Sequence, residues 1–188
     1  VLMCLVAVED PGLTVFPTHR LLHHLSDAQR QALRAVIDRD FETTPLPSVE
    51  ALPPPENEEL LLGYLDSHHG RPLRLALRDM AIAESALQGR SAPYRRLDTA
   101  VTEALLLKGA LGMTDEQIDH FDGLWYARDD AEAIRLVQSG AHEVALFMAP
   151  TPVRRVQAVA ASGESMPPKS TYFFPKVPTG LLFNPLDA

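Results

Sequence analysis

Thirteen residues, Met166–Pro178 (MPPKSTYFFPKVP), gather two lysines, a Ser-Thr pair, three aromatics and four prolines. Pro167, Pro168, Pro175 and Pro178 fix φ and take away backbone donors, which excludes a helix. Between them Lys169–Phe174 reads as a short strand, because Thr171, Tyr172, Phe173 and Phe174 favour a pleated, half-buried surface. A stiff frame holding Lys169, Ser170, Thr171 and Lys176 offers ammonium groups and hydroxyls to an anion. Pro17 is followed by a second polar knot, Thr18-His19-Arg20, in which His19 has the chemistry of an acid or base and Arg20 that of an anion clamp. Both side chains could instead hold a loop by hydrogen bonds.

Other patterns fall short of a reaction. Gly163–Ser170 (GESMPPKS) matches the phosphate-loop spacing G-x-x-x-x-G-K-[ST] except that Pro168 replaces the second glycine. Proline has no N–H for a phosphate, and the segment follows a helix and opens a strand, the reverse of a phosphate loop. His19 and His23 have the i, i+4 spacing of helical metal ligands, but Arg20 stands where a zinc protease has glutamate, and no Cys or carboxylate in this run completes a site. No metal is expected. His68-His69 reads as a helix C-terminus and Asp129-Asp130 as a helix N-terminus.

The elements that would position these residues follow from periodicity. Val1–Val8 is an apolar run with the look of a strand buried on both faces, with Cys4 as a small core residue. Ser26-Asp27 caps a helix whose stripe is Leu33, Val36 and Ile37. Residues 43–56 (Thr43–Pro55, TTPLPSVEALPPP, at their heart) read as a proline-rich loop or linker. Asn57 is expected to cap a helix over Glu58–Ser67, stopped by Gly70. Pro72–Arg78 alternates as a strand, Met80–Leu87 suits a short helix, and Leu97–Leu111 is the strongest helical stretch. Further on come an extended piece to Ala127, a helix from Asp129-Asp130 to Ser139, a strand Glu143–Met148, a helix Pro152–Ala161 and a last strand Leu181–Phe183. The pattern predicts an α/β or mixed α+β fold, a central mixed sheet flanked by helices.

The 188 residues, 46% hydrophobic and 22% charged, suit one domain with a real core. A net charge of −8 argues against nucleic acid as partner while leaving room for a local cationic pocket. A single cysteine excludes an internal disulfide. No run reaches the ~20 apolar residues of a membrane span, and no basic leader or cleavage site marks a signal peptide, so a cytoplasmic location is expected. Because Val1 already lies in an apparent strand, further sequence upstream is expected.

Several blocks occur in a distinctive order: Gly12-Leu13, Phe16-Pro17-Thr18-His19-Arg20-Leu21, Arg96-Leu97-Asp98, Ala145-Leu146-Phe147, Pro150-Thr151-Pro152-Val153, Met166–Lys176 and Thr179-Gly180-Leu181. Together they resemble the bacterial and archaeal domain-of-unknown-function family 1015. Its members have an N-terminal half, absent here, with a Gly-His-His-Arg motif similar to that of ParB, sulfiredoxin and free-serine kinase proteins. The resemblance implies that 1–188 is a single C-terminal domain or half-domain of a longer protein, with that N-terminal half as a partner. It implies a nucleotide, with Mg²⁺, or another small molecule as ligand of the whole protein. Arg20, Lys169 and Lys176 would then offset phosphate charge, Ser170 or Thr171 would donate hydrogen bonds, and His19 or Asp98 would accept a proton from an attacking hydroxyl. The implied function is part of a nucleotide-binding protein or small-molecule phosphotransferase. The alternative is a non-enzymatic ligand- or protein-binding regulatory module in which MPPKSTYFFPK is a rigid corner.

Overall fold

The structure is a computed structural model that describes residues 4–7, 10–56, 60–178 and 180. Among the described residues, eight strands alternate with helices. They are β1 (Thr14–Phe16), β2 (His19–Leu22), β3 (Phe41–Pro45), β4 (Leu61–Asp66), β5 (Leu73–Leu77), β6 (Leu124–Ala127), β7 (Val144–Phe147) and β8 (Tyr172–Phe174). Six form one sheet in the order β3-β5-β4-β7-β2-β6, and β1 pairs with β8 in a separate ribbon. The class is mixed α+β. Every pairing is antiparallel, so the sheet does not have the mixed strand directions expected of it.

Period-two alternation sends side chains to two cores. Leu22, Leu62, Leu75, Val144 and Leu146 join one cluster with Leu33, Val36 and Ile37 of α1 (Asp27–Asp40) and with Leu105–Leu107. Leu21, Leu65, Ala145 and Phe147 face the other way, onto Ala133 and Val137 of α6 (Asp130–Gln138). The α1 start follows its sequence: the Ser26 hydroxyl accepts from Gln29 N, and the Gln29 side chain accepts from Ser26 N. The remaining helices are α2 (Met80–Ala86), α3 (Ala92–Arg95), α4 (Asp98–Val101), α5 (Asp115–Asp119) and α7 (Val153–Ala161). Directly after α4 the chain widens into a π-helix, Thr102–Ala110. Its i, i+5 stacking brings Lys108 Nζ to 2.8 Å from Glu103, and Asp115 lies 2.6 Å from the same ammonium. Burial works against that charge, but hydrogen bonds to Asp115 and Glu103 outweigh it and raise the Lys108 pKa.

Four expectations change. The helix expected over Glu58–Ser67 is strand β4 from Leu61; Asn57–Glu59 lie outside the described residues. Gly63 lets this strand pass close under the chain that follows the Val49–Ala51 3₁₀ turn: a Cβ there would stand 2.1 Å from the Leu52 carbonyl oxygen. The expected loop from Thr43 contains β3 to Pro45, tolerated because β3 is an edge strand. Within Val1–Val8, residues 4–7 are exposed and not in a strand, and Cys4 is a free, exposed thiol rather than a core residue. Leu181–Phe183 lies outside the described residues.

Candidate functional site

β2 is where the Thr18-His19-Arg20 knot divides. His19 and Arg20 are adjacent on a strand and so point to opposite faces of the sheet. His19 is fully buried, its ring 4.9 Å from that of Phe147. The Met148 N–H donates to its Nδ1 at 3.1 Å, which leaves the ring proton on Nε2. That proton is donated to Asp130 Oδ1 at 2.5 Å, so His19 ties β2 to the end of β7 and to the first turn of α6. The strand geometry also separates His19 from His23 by about 13 Å, four residues at ~3.3 Å each, and removes the shared metal face a helix would have given.

Arg20 turns to the other face, where it is 4% exposed. It lies opposite Tyr126 in the β2–β6 register, with its guanidinium carbon 5.4 Å from the tyrosine ring centre. Its Nη1 donates to the Thr18 carbonyl and its Nη2 to the Lys169 carbonyl at 3.2 Å. Burial lowers its pKa, opposed by the nearby Tyr126, Asp98 and Glu103. Asp98 is the counter-case: burial raises its carboxyl pKa, opposed by Arg20, and the Thr99 N–H donates to it at 2.7 Å.

The Lys169 backbone takes φ +55°, a left-handed conformation that costs a lysine of order 1–3 kcal/mol and needs support. The support is local. Arg20 grips the Lys169 carbonyl, the Ser170 hydroxyl donates to the Pro167 carbonyl at 2.6 Å, and the Thr151 hydroxyl donates to the Ser170 carbonyl at 3.1 Å. β1 then pairs with β8, Phe16 against Tyr172, which fixes the rest of the block beside β2.

The result is an open groove of about 550 Å³ against edge strand β6. Phe121, Trp125, Tyr126 and Tyr172 give it aromatic faces; Arg128, Lys169 and Lys176 give it cations. Thr18 and Thr171 add hydroxyls, and Glu132 adds a carboxylate. Arg128 and Lys176 both stand over the Tyr172 ring, at 4.3 and 4.5 Å from its centre, and the Lys169 ammonium is 5.6 Å from that of Phe121. Two of the chain's three lysines stand here, so the cationic character is local in a chain of net charge −8. Of the residues singled out from the sequence, Lys169, Thr171 and Lys176 line the groove. Arg20, His19, Ser170 and Asp98 are buried and do not line it. Sequence reading missed Arg128, Glu132 and the aromatics of 121–126; the one signal was the aromatic content of an edge strand.

A family model described as a protein of unknown function (DUF1015) matches residues 1–100. The chain belongs to that family. The matched span takes in the Pro17–Arg20 knot and Arg96–Asp98 and stops short of the MPPKST block. No curated protein matches. Among solved structures, this DUF1015 chain is similar to a conserved hypothetical protein from Pyrococcus furiosus, at 14% identity and a TM-score of 0.52, over 89% of this chain and 59% of that one. It is also similar to a free serine kinase in complex with AMP, at 11% identity and a TM-score of 0.52, over 89% of this chain and 56% of the kinase. At such identities the likeness is one of fold, and this chain spans less than two thirds of either neighbour.

Proposed function

We propose that the groove against β6 binds the phosphates and base of a nucleotide, and that the chain supplies this part of a nucleotide-binding protein or small-molecule phosphotransferase. The observation that carries the reading is the joint presence of Lys169, Lys176 and Arg128 with four aromatic faces in one open groove. Cations offset phosphate charge, and aromatic faces stack a base at about 1–3 kcal/mol each. The fold shared with a kinase solved with AMP supports the same direction. In this reading Lys169, Lys176 and Arg128 meet the phosphates and Thr171 and Thr18 donate hydrogen bonds. Arg20, Ser170, His19 and Asp98 are buried structural residues that do not line the groove, in place of the ligand and proton-transfer roles first expected of them. Residues of a further half, present in the longer protein the family resemblance implies, complete the site.

A second reading, binding without turnover, is favoured by the state of the acid–base groups. Both ring nitrogens of His19 are engaged and Asp98 is buried, which leaves Glu132 as the carboxylate on the groove.

The test is a thermal-shift panel of ATP, ADP, CTP and GTP, with and without Mg²⁺, joined to lysine labelling. A bound nucleotide raises the midpoint by mass action and shields Lys169 and Lys176 from acylation, while Lys108 serves as internal control. Lys169→Ala removes the shift and leaves the unliganded midpoint nearly unchanged. No shift with any nucleotide, or shifts without protection of Lys169 and Lys176, refutes the reading. Binding with no phosphoryl transfer by the whole protein selects the second one.

A further inference from the structure

A second cavity, of about 440 Å³, lies toward the opposite edge of the sheet, between α1 and strands β3, β4 and β5. Its volume is in the range of small-molecule sites. Counting from β5 to β6 across the sheet order gives four strand spacings, about 19 Å, so it is separate from the groove. Leu33, Ile37 and Leu73 supply apolar walls, and the exposed Arg34 and Arg71 supply guanidinium groups.

The charges around this cavity are unevenly committed. Arg30 is held by Glu143 at 2.5 Å and Asp27 at 2.6 Å. Asp66, the buried acid of the lining, already accepts from His68 N at 2.9 Å, His69 N at 2.6 Å and the His69 ring at 3.0 Å. Those contacts tie its carboxylate to the 68–69 turn rather than to Arg34 or Arg71. Arg34 and Arg71 have no hydrogen-bond or ion-pair partner among the described residues. Asp38, one turn beyond Arg34 on α1, is the remaining acid of the lining and is exposed. Both guanidiniums line the same cavity as Leu33, Ile37 and Leu73, and the charge of Arg34 also acts on the Tyr64 hydroxyl.

We propose that this cavity binds a small organic carboxylate with an apolar body, the carboxylate between Arg34 and Arg71 and the body on Leu33, Ile37 and Leu73. A guanidinium fork matches a carboxylate with two parallel hydrogen bonds. The backbone N–H groups of His68 and His69 are spent on Asp66, so the donors left for an anion are the two guanidiniums.

The probe is phenylacetate, with its neutral amide phenylacetamide as control, titrated into the protein and followed by amide NMR shifts. Phenylacetate should give saturable shifts at Tyr64, Arg71 and Leu73. Phenylacetamide, and phenylacetate with the R34Q/R71Q variant, should bind at least ~10-fold more weakly. Both arginines are exposed, so the urea midpoint of R34Q/R71Q should match the parent; the single variants R34Q and R71Q give the same readout if the pair does not fold. Lys169→Ala should leave phenylacetate binding unchanged, which keeps this site apart from the nucleotide reading. Absence of saturable shifts, equal binding of the amide, or undiminished binding by the arginine variants overturns the proposal.

Discussion

Replacing Arg20 with methionine tests whether the two polar blocks are tied together from within. The side chain is 4% exposed and donates to the carbonyls of Thr18 and Lys169, so methionine keeps the stem and deletes both bonds. Charge-assisted bonds contribute about 1.5–3 kcal/mol each, or about 3–6 kcal/mol for the two. Some of this returns because a guanidinium no longer has to be stripped of water, and breaking a buried charge arrangement on one side typically costs about 3–5 kcal/mol. The loss also leaves Asp98 buried without the cation that opposes its raised pKa. Urea unfolding should therefore show Arg20→Met destabilised by about 3–5 kcal/mol, a large part of a typical domain's stability. Adding Asp98→Asn should recover about 1 kcal/mol or more, since the partners are coupled. A loss under ~1 kcal/mol for Arg20→Met, accompanied by lost nucleotide binding, would refute the tether and return Arg20 to the role of a direct anion clamp.

Two further outcomes follow from the fold. Gly63→Ala puts a Cβ 2.1 Å from the Leu52 carbonyl oxygen and 2.9 Å from Phe147 Cβ, so urea unfolding should show a loss of about 1–3 kcal/mol or more; an unchanged midpoint would mean the 49–52 turn yields freely. His142 has its pKa lowered from 6.5 by burial and then by His23, whose ring is 5.2 Å away, and His24. The unfolded chain then takes up this proton more readily than the folded one. Its contribution is full above pH 6.5 and is lost as pH falls below it, so melting points measured downward from neutrality should fall less steeply in His142→Gln than in the parent.

Elements with a cap and a stripe were legible in the sequence. Ser26 with Leu33, Val36 and Ile37 gave α1, and the alternation of Leu73, Leu75 and Leu77 gave β5. Leu60–Leu65 was not, because a short apolar run fits a helix and a buried strand equally, and the close pass of Leu52 over Gly63 is a contact no local pattern encodes. Proline biased the reading of Thr43–Pro45 toward a loop, although an edge strand admits it. For the site, the types of Lys169, Thr171 and Lys176 were informative because a groove needs exposed cations. Arg20 and His19 have the same chemistry, yet strand alternation and register bury both, and those partners lie 149 and 111 residues away. Phe121, Trp125 and Arg128 acquire meaning only once β6 lies beside β2.

The span of 149 residues between Arg20 and Lys169 also gives the protein a clock. A ribosome adds about 5–20 residues per second, so roughly 7–30 s separate the appearance of the guanidinium from that of the carbonyl it will hold. During that interval all six strands of the main sheet can be made, since the last of them, β7, ends at Phe147. The wall that carries Lys169 and Tyr172 arrives afterwards. The Lys169 wall of the groove is thus made only after the last strand of the main sheet, and a chain halted after β7 would lack Lys169, Tyr172 and Lys176.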